Sequence, residues 1–258
     1  MQPTDQTREE HCERHGPYTS TIWRFGTVEH WTGCLQCSDE RKEAERDREL
    51  ADAASNRKQA LEDARTALRY QRAKIPQRYV GKTFDTYQVD HANAGQDRAL
   101  KICRAYVERW EQCRKVGRCI VFVGTVGTGK SHLAAAICSG VLEKGATALF
   151  RTAPDAIGMV KAEYGKGGDE ESAYEALRKP DLLVLDDIGA VKLSEHDLGV
   201  LYRIIQGRYE DEKPLIMTSN APTIAVLQSI IGDRLVDRAV ENNGVELVMS
   251  WASNRRGK

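Results

Sequence analysis

The chain has 258 residues, 38 Lys plus Arg against 38 Asp plus Glu, and a mean hydropathy of −0.53. That length fits one or two domains with a core that needs no disulfide, and the neutral balance excludes a general polycation that coats nucleic acid. No apolar run approaches the ~18 residues of a membrane span, and the N-terminal stretch holds no apolar core of a secretory signal, so a cytoplasmic protein is expected.

The zero net charge is a cancellation. Residues 1–40 sum to −4, residues 41–75 to +3 and residues 76–258 to +1. The acidic first part carries Cys12-x2-His15 and Cys34-x2-Cys37, flanked by Gly16 and Gly33. Two ligand pairs at this spacing suit tetrahedral zinc, because a tight knuckle aims both side chains at one ion. Four protein ligands leave no open position, so the expected zinc is structural. His11 and His30 compete as ligands but lack the paired spacing. Between the pairs, the β-prone stretch from Tyr18 to Val28 predicts a small hairpin. Phosphate binding is disfavoured by the acidic charge, which points this module (1–40) to a protein partner rather than DNA.

Residues 41–75 contain no Gly or Pro and are rich in Ala, Glu, Arg and Lys, which predicts a helix ended by Pro76. Leu50, Ala54, Leu61, Ala64 and Leu68 fall near one face. This stripe is too thin for a core. It reads either as an exposed connector or as a face for a partner helix.

Gly124-Thr125-Val-Gly127-Thr128-Gly129-Lys130-Ser131 follows a predicted strand, 119–123, and opens a predicted helix, 131–142. This is the G-x-x-x-x-G-K-[ST] phosphate loop. Its glycines let backbone N–H groups wrap a phosphate, and the helix N-terminus adds positive potential. Lys130 is assigned to the β- and γ-phosphates of ATP and Ser131 to Mg²⁺. A second strand, 182–186, runs into Asp186-Asp187. Asp186 is expected to hold a Mg²⁺-bound water, and Asp187 to orient or deprotonate the attacking water, although a plain turn acid is the alternative. Further strands at 147–151, 215–219 and 245–249 alternate with helical stretches, which implies an α/β fold with a mostly parallel sheet covered on both faces. Asn220 ends the strand 215–219 at the edge where ligands bind, to sense the γ-phosphate or cap the turn. Cys103, Cys113, Cys119 and Cys138 lack paired spacing and are expected to be reduced core residues.

Taken together, the phosphate loop, the strand 182–187, Thr218-Ser-Asn220, Gly232-Asp-Arg-Leu-Val-Asp-Arg238 and Trp251-Ala-Ser-Asn-Arg255 resemble an AAA+ ATPase of the DnaC-type helicase loaders, with DnaA and IstB-like relatives. The likeness starts near Ile75-Pro-Gln-Arg-Tyr79 and Phe84-Asp-Thr-Tyr87 and covers most of residues 76–258. Gly129-Lys-Ser-His-Leu-Ala-Ala-Ala-Ile-Cys138 is especially loader-like, and the cysteine-bearing leader with its charged helix resembles that of phage and prophage loaders. The resemblance implies a five-stranded sheet sandwiched by helices, with a small zinc module and a helical linker in front. It implies Arg238 as an arginine finger acting on a neighbouring protomer, with Arg234 as the alternative, and Arg255 as a second sensor. It also implies a hexameric replicative DNA helicase as partner of the N-terminal region, single-stranded DNA as partner of the ATPase, and self-association through the ATPase interface. Lys161 and Lys166, flanking Tyr164, are candidates for that DNA groove, against a plain surface loop.

The expectation is an ATP-dependent helicase loader that uses ATP, Mg²⁺ and Zn²⁺. An IstB-like transposition helper shares nearly the same core. An adaptor that binds ATP and rarely turns it over fits Asp187. A P-loop small-molecule kinase is disfavoured because no Arg-rich lid is present.

Overall fold

The computed structural model describes residues 2–25, 28–90, 93–164, 169–241 and 244–253. The chain divides into two units, Met1–Ala64 and Arg65–Lys258.

In the first unit, β1 (Gln2–Cys12), β2 (Gly16–Phe25) and β3 (Val28–Trp31) form an antiparallel sheet in the order β1-β2-β3. The stretch expected to form a whole hairpin, Tyr18 to Val28, is mostly the one strand β2, which pairs with β3 beyond it. β1 adds a strand that the sequence reading left out. Its residues (Thr7, Arg8, Glu9, Glu10, His11) are polar on both faces, so no period-2 apolar pattern announces it. The sheet buries little: Ile22 and Ser20 are the buried side chains among its described residues, and the Ser20 hydroxyl donates to the Thr32 carbonyl at 2.6 Å.

Helix α1 (Leu35–Ala73) starts at Leu35, ahead of the expected 41, which puts Cys37 and Glu40 in its first two turns. The chain from Leu35 to Ile75 has no Gly or Pro to stop the helix. The predicted stripe stays uncovered: Leu50, Leu61 and Leu68 are exposed, and only the last turn reaches a core, through Ala73.

The second unit is built on β4 (Ile120–Gly124), β5 (Ala148–Thr152), β6 (Leu182–Ile188), β7 (Leu215–Ser219) and β8 (Val245–Met249), in the order β5-β6-β7-β4-β8. Each pair is parallel. All five match the predicted strands to within two residues, because fully buried apolar runs are strong signals. Alternate residues feed two cores. Ile120, Phe122, Val184 and Ile216 pack under α2 (Ala94–Glu108) and α4 (Lys130–Glu143). Val121, Val123, Leu183, Leu185 and Met217 pack under α5 (Ala153–Lys161), α6 (Glu170–Arg178), α7 (Glu195–Glu210), α8 (Ile224–Ile231) and α9 (Asp233–Glu241). A short helix, α3 (Trp110–Lys115), joins α2 to β4. Cys103, Cys113, Cys119 and Cys138 are all buried and unpaired, as expected.

This order puts β4 between β7 and β8, so the loop after β4 lies beside the carboxyl ends of both. Covered on both faces, the sheet leaves that end as the place for a ligand.

Candidate functional site

The phosphate loop leaves β4 at Gly124 and enters α4 at Lys130. Gly127 and Gly129 have φ of +90° and +95°, backbone that glycine adopts without strain. The loop is braced internally by Thr128 Oγ1, which donates to the Thr125 carbonyl at 3.0 Å. Lys130 is buried, and its Nζ donates to the carbonyls of Gly124 and Thr125 at 2.7 and 2.8 Å. The ammonium thus lies folded on the loop, within reach of any phosphate that seats there.

A cleft of about 740 Å³ opens over this loop. It is lined by Gly127, Gly129, Lys130 and Ser131, by the predicted Asp187 and Asn220, and by Arg78, Lys82, Tyr87 and His132. Three cations in one cleft suit a polyphosphate.

Asp186 and Asp187 end β6 in different environments. Asp186 is buried, and burial raises its carboxyl above the usual carboxylate range, against hydrogen bonds from Thr218 and Ser131 that lower it. Ser131 and Asp186, the two expected Mg²⁺ groups, therefore already meet. Asp187 has φ of +58°, uncommon for a residue with a Cβ. Its backbone N–H donates to Thr218 Oγ1 at 3.0 Å, and Asn220 Nδ2 donates to its Oδ1 at 3.4 Å. This conformation turns the Asp187 side chain out of the strand alternation and into the cleft.

Some predicted residues are not brought to this cleft. Arg238, on α9, lies over the rings of Tyr202 and Tyr209 at 5.2 and 5.6 Å. Arg234 is exposed on the same helix, and both guanidiniums lower the Tyr202 hydroxyl, Arg238 more. Lys161 is ion-paired with Asp197 at 2.9 Å, within the capping box of α7. Lys166 and Arg255 lie outside the described residues.

In the first unit, Cys12, His15, Cys34 and Cys37 converge with all ligand atoms within 4.8 Å of one another. His15 Nδ1 is 3.7, 3.6 and 3.3 Å from the sulfurs of Cys12, Cys34 and Cys37, and the Cys12 and Cys37 sulfurs are 3.5 Å apart. Standard zinc–sulfur and zinc–nitrogen bond lengths give tetrahedral edges of about 3.6–3.8 Å, so the donor set fits one zinc ion. Backbone N–H groups of Arg14 and His15 pull the Cys12 thiol down to about 6, while the adjacent Cys12 pushes Cys37 up to about 11. A zinc ion there would require the ligand thiols as thiolates, so its binding would release protons. His11 and His30, the competing candidates, are not part of this cluster.

Sequence reasoning missed Glu40, whose carboxylate contacts His15 Nε2 at 2.8 Å and fixes which ring nitrogen faces the sulfurs. The signal was its position three residues beyond Cys37 on one helix. Arg78, Tyr87, His132 and Trp251 were also given no role. Arg78 and His132 line the cleft, and Tyr87 and Trp251 contact the loop itself. No spacing of donor or ligand types gives them a role, although all four stand in the stretches that carry the family resemblance.

A parallel sheet with this loop, these paired acids and Asn220 at one carboxyl edge defines a P-loop nucleotide-binding protein of AAA+ type. The chain belongs to the family of IstB-like ATP binding proteins, whose model matches residues 35–243. It is 31% identical over 204 residues to the replicative helicase loader DnaC of Escherichia coli K12, covering 77% of this chain and 81% of that one. It is 32% identical over 174 residues to the uncharacterized protein YdaV of the same organism, covering 67% of each chain. Among solved structures it is similar to the DnaC helicase loader, with a TM-score of 0.60 at 30% identity over 69% of this chain and all of that one. AMPPCP-bound DnaA from Aquifex aeolicus matches with a TM-score of 0.53 at 26% identity, over 67% of this chain and 51% of that one. Among the described residues, no helix is long and apolar enough to cross a membrane.

Proposed function

We propose that the protein is an ATP-dependent loader that binds a hexameric replicative DNA helicase and delivers it to single-stranded DNA. The observation that carries this reading is the likeness to DnaC across most of both chains, at the level of sequence and of fold. The family match, over residues 35–243, takes in the loop, the acid pair and Asn220.

In this reading ATP phosphates seat on the loop, and Lys130 exchanges the carbonyls of Gly124 and Thr125 for phosphate oxygens. Ser131 would hold Mg²⁺ and Asp186 a water bound to it, and the ion would supply positive charge against the phosphates. That charge would favour the ionised form of the buried Asp186 carboxyl. Asp187, turned into the cleft, orients or deprotonates the attacking water, and Asn220 holds Asp187 in place and senses the γ-phosphate. Arg238 leaves its own tyrosines to reach the ATP of a neighbouring copy, where a guanidinium offsets charge developing on the transferred phosphoryl group. Arg255 acts as the second sensor. Hydrolysis is the switch: ATP favours self-association and the grip on DNA, and its loss releases the loader.

The first 40 residues form a zinc module on Cys12, His15, Cys34 and Cys37, residues 41–75 form the connector and residues 76–258 the ATPase. The exposed leucines of the connector and the acidic module supply the helicase-binding region.

The deciding experiment is deposition of a purified hexameric helicase on single strands coated with binding protein. Stimulation dependent on ATP, and lost in Lys130→Ala, supports the loader. Stimulation of a transposase with no effect on any helicase supports the IstB-like reading, which shares its name with the matched family. Arg238→Ala should bind ATP normally and lose partner-stimulated turnover. Unchanged turnover there, with loss in Arg234→Ala, moves the finger to Arg234.

A further inference from the structure

Two segments from opposite ends of the ATPase unit meet on one carbonyl of the phosphate loop. Tyr87, in the segment before α2, donates its hydroxyl to the Thr128 carbonyl at 3.2 Å. Trp251, just past β8, donates its indole N–H to the same oxygen at 2.9 Å. All three residues are buried. The Tyr87 ring also covers Gly129, where a Cβ would come within 2.5 Å of Tyr87 Cε2. Tyr87 is itself fixed by His132: the rings meet edge-on at 5.3 Å, and the imidazole reaches the Thr83 carbonyl at 2.8 Å.

The consequence follows from peptide geometry. A trans peptide is planar, so the C=O of residue 128 and the N–H of residue 129 point in opposite directions. With the Thr128 oxygen held by the Tyr87 and Trp251 donors, the Gly129 N–H is fixed pointing away from both, in the direction from which a phosphate seated on the loop would accept it. Gly129 tolerates either sign of φ, so a lone loop is free to flip this peptide. The close approach of Tyr87 requires a glycine at 129. The same glycine makes the flip cheap, and the two donors remove it.

We propose that Tyr87 and Trp251 are positioning residues for nucleotide binding, which together lock the 128–129 peptide with its N–H presented to phosphate. The proposal rests on the ATP-site reading above.

The test uses the full chain as Tyr87→Phe, Trp251→Phe and the double variant. A matched control is Tyr106→Phe, which also removes a buried hydroxyl-to-carbonyl bond, to Arg118 at 2.8 Å, away from the loop. Affinity for a fluorescent ATP analogue is measured in the cold, where circular dichroism shows every variant folded. Each loop variant should bind about 5–10-fold more weakly, the effect of one lost hydrogen bond, and the double variant more weakly than either. Turnover should lose through KM rather than kcat. Tyr106→Phe should lower the melting temperature and leave affinity within about twofold. If Tyr87→Phe and Trp251→Phe match Tyr106→Phe in affinity, or lose kcat alone, the proposal is overturned. Should Trp251→Phe fail to fold, Tyr87→Phe, which removes a single oxygen, decides the matter alone. Binding that ignores Lys130→Ala sinks the ATP-site reading, and the proposal with it. Binding that needs Lys130 but ignores Tyr87 and Trp251 sinks the proposal only.

Discussion

The hydroxyl of Thr218 donates to Asp186 Oδ1 at 2.6 Å and accepts the backbone N–H of Asp187 at 3.0 Å, so one β7 side chain holds both acids at the end of β6. Thr218 and Asp186 are both buried. Thr218→Val is close to isosteric but leaves the Asp186 carboxylate and the Asp187 N–H short of a partner. We expect a loss of about 1–3 kcal/mol in stability and a fall in ATP turnover larger than the fall in ATP affinity. Denaturant unfolding and single-turnover hydrolysis check this, with Thr218→Ser retaining most of both.

Asp187 separates chemistry from folding cleanly. Its φ of +58° suits Asn as well as Asp, since both short polar side chains tolerate left-handed backbone. Asp187→Asn should melt within about 0.5 kcal/mol of the parent and bind ATP as well. Hydrolysis should drop by about 10²-fold or more, the usual worth of a positioned general base. Retained hydrolysis would mean that Asp187 is a turn acid and the water is activated elsewhere.

Arg208 is fully buried, its hydrogen bonds among the described residues go to backbone carbonyls, and burial pulls its guanidinium down to about 10. It donates to the carbonyls of Leu177, Arg178, Pro180, Asp181 and Pro214 at 2.7–3.1 Å, tying the end of α6 to the starts of β6 and β7. Arg208→Met should cost about 3–5 kcal/mol, because it strands several buried acceptors at once. Arg208→Lys should recover only part of this, since an ammonium lacks the planar fork. Thermal melting of the two variants distinguishes the cases.

For the cysteine cluster, elemental analysis of the full chain purified without chelator should find one zinc per molecule. Glu40→Ala should leave the ligands in place but weaken zinc about 10–100-fold in competition with a chromophoric chelator. An equal affinity would reduce the Glu40–His15 contact to a surface ion pair.

What the sequence determined alone is of two kinds. Contiguous motifs were legible: the phosphate loop, the acids after an apolar run, and the paired Cys and His knuckles, because backbone geometry forces each to be local. The five buried strands were legible for a related reason, since an unbroken apolar run has no other stable place. The tertiary structure decided what depends on groups far apart in the chain. β1 gave no signal because both of its faces are polar. The start of α1 at Leu35 was hidden because ligand spacing, not helix propensity, drew attention there. Above all, Thr218, Tyr87 and Trp251 stand in stretches that carry the family resemblance, yet the sequence assigns no role to them or to Glu40. Only the crossing of β7 beside β6, of two remote segments on the Thr128 carbonyl, and of a helix turn beside a histidine makes each the partner of a functional group. A hydrogen bond needs its partner within about 3 Å, and that nearness is a property of the folded sheet, not of the order of letters.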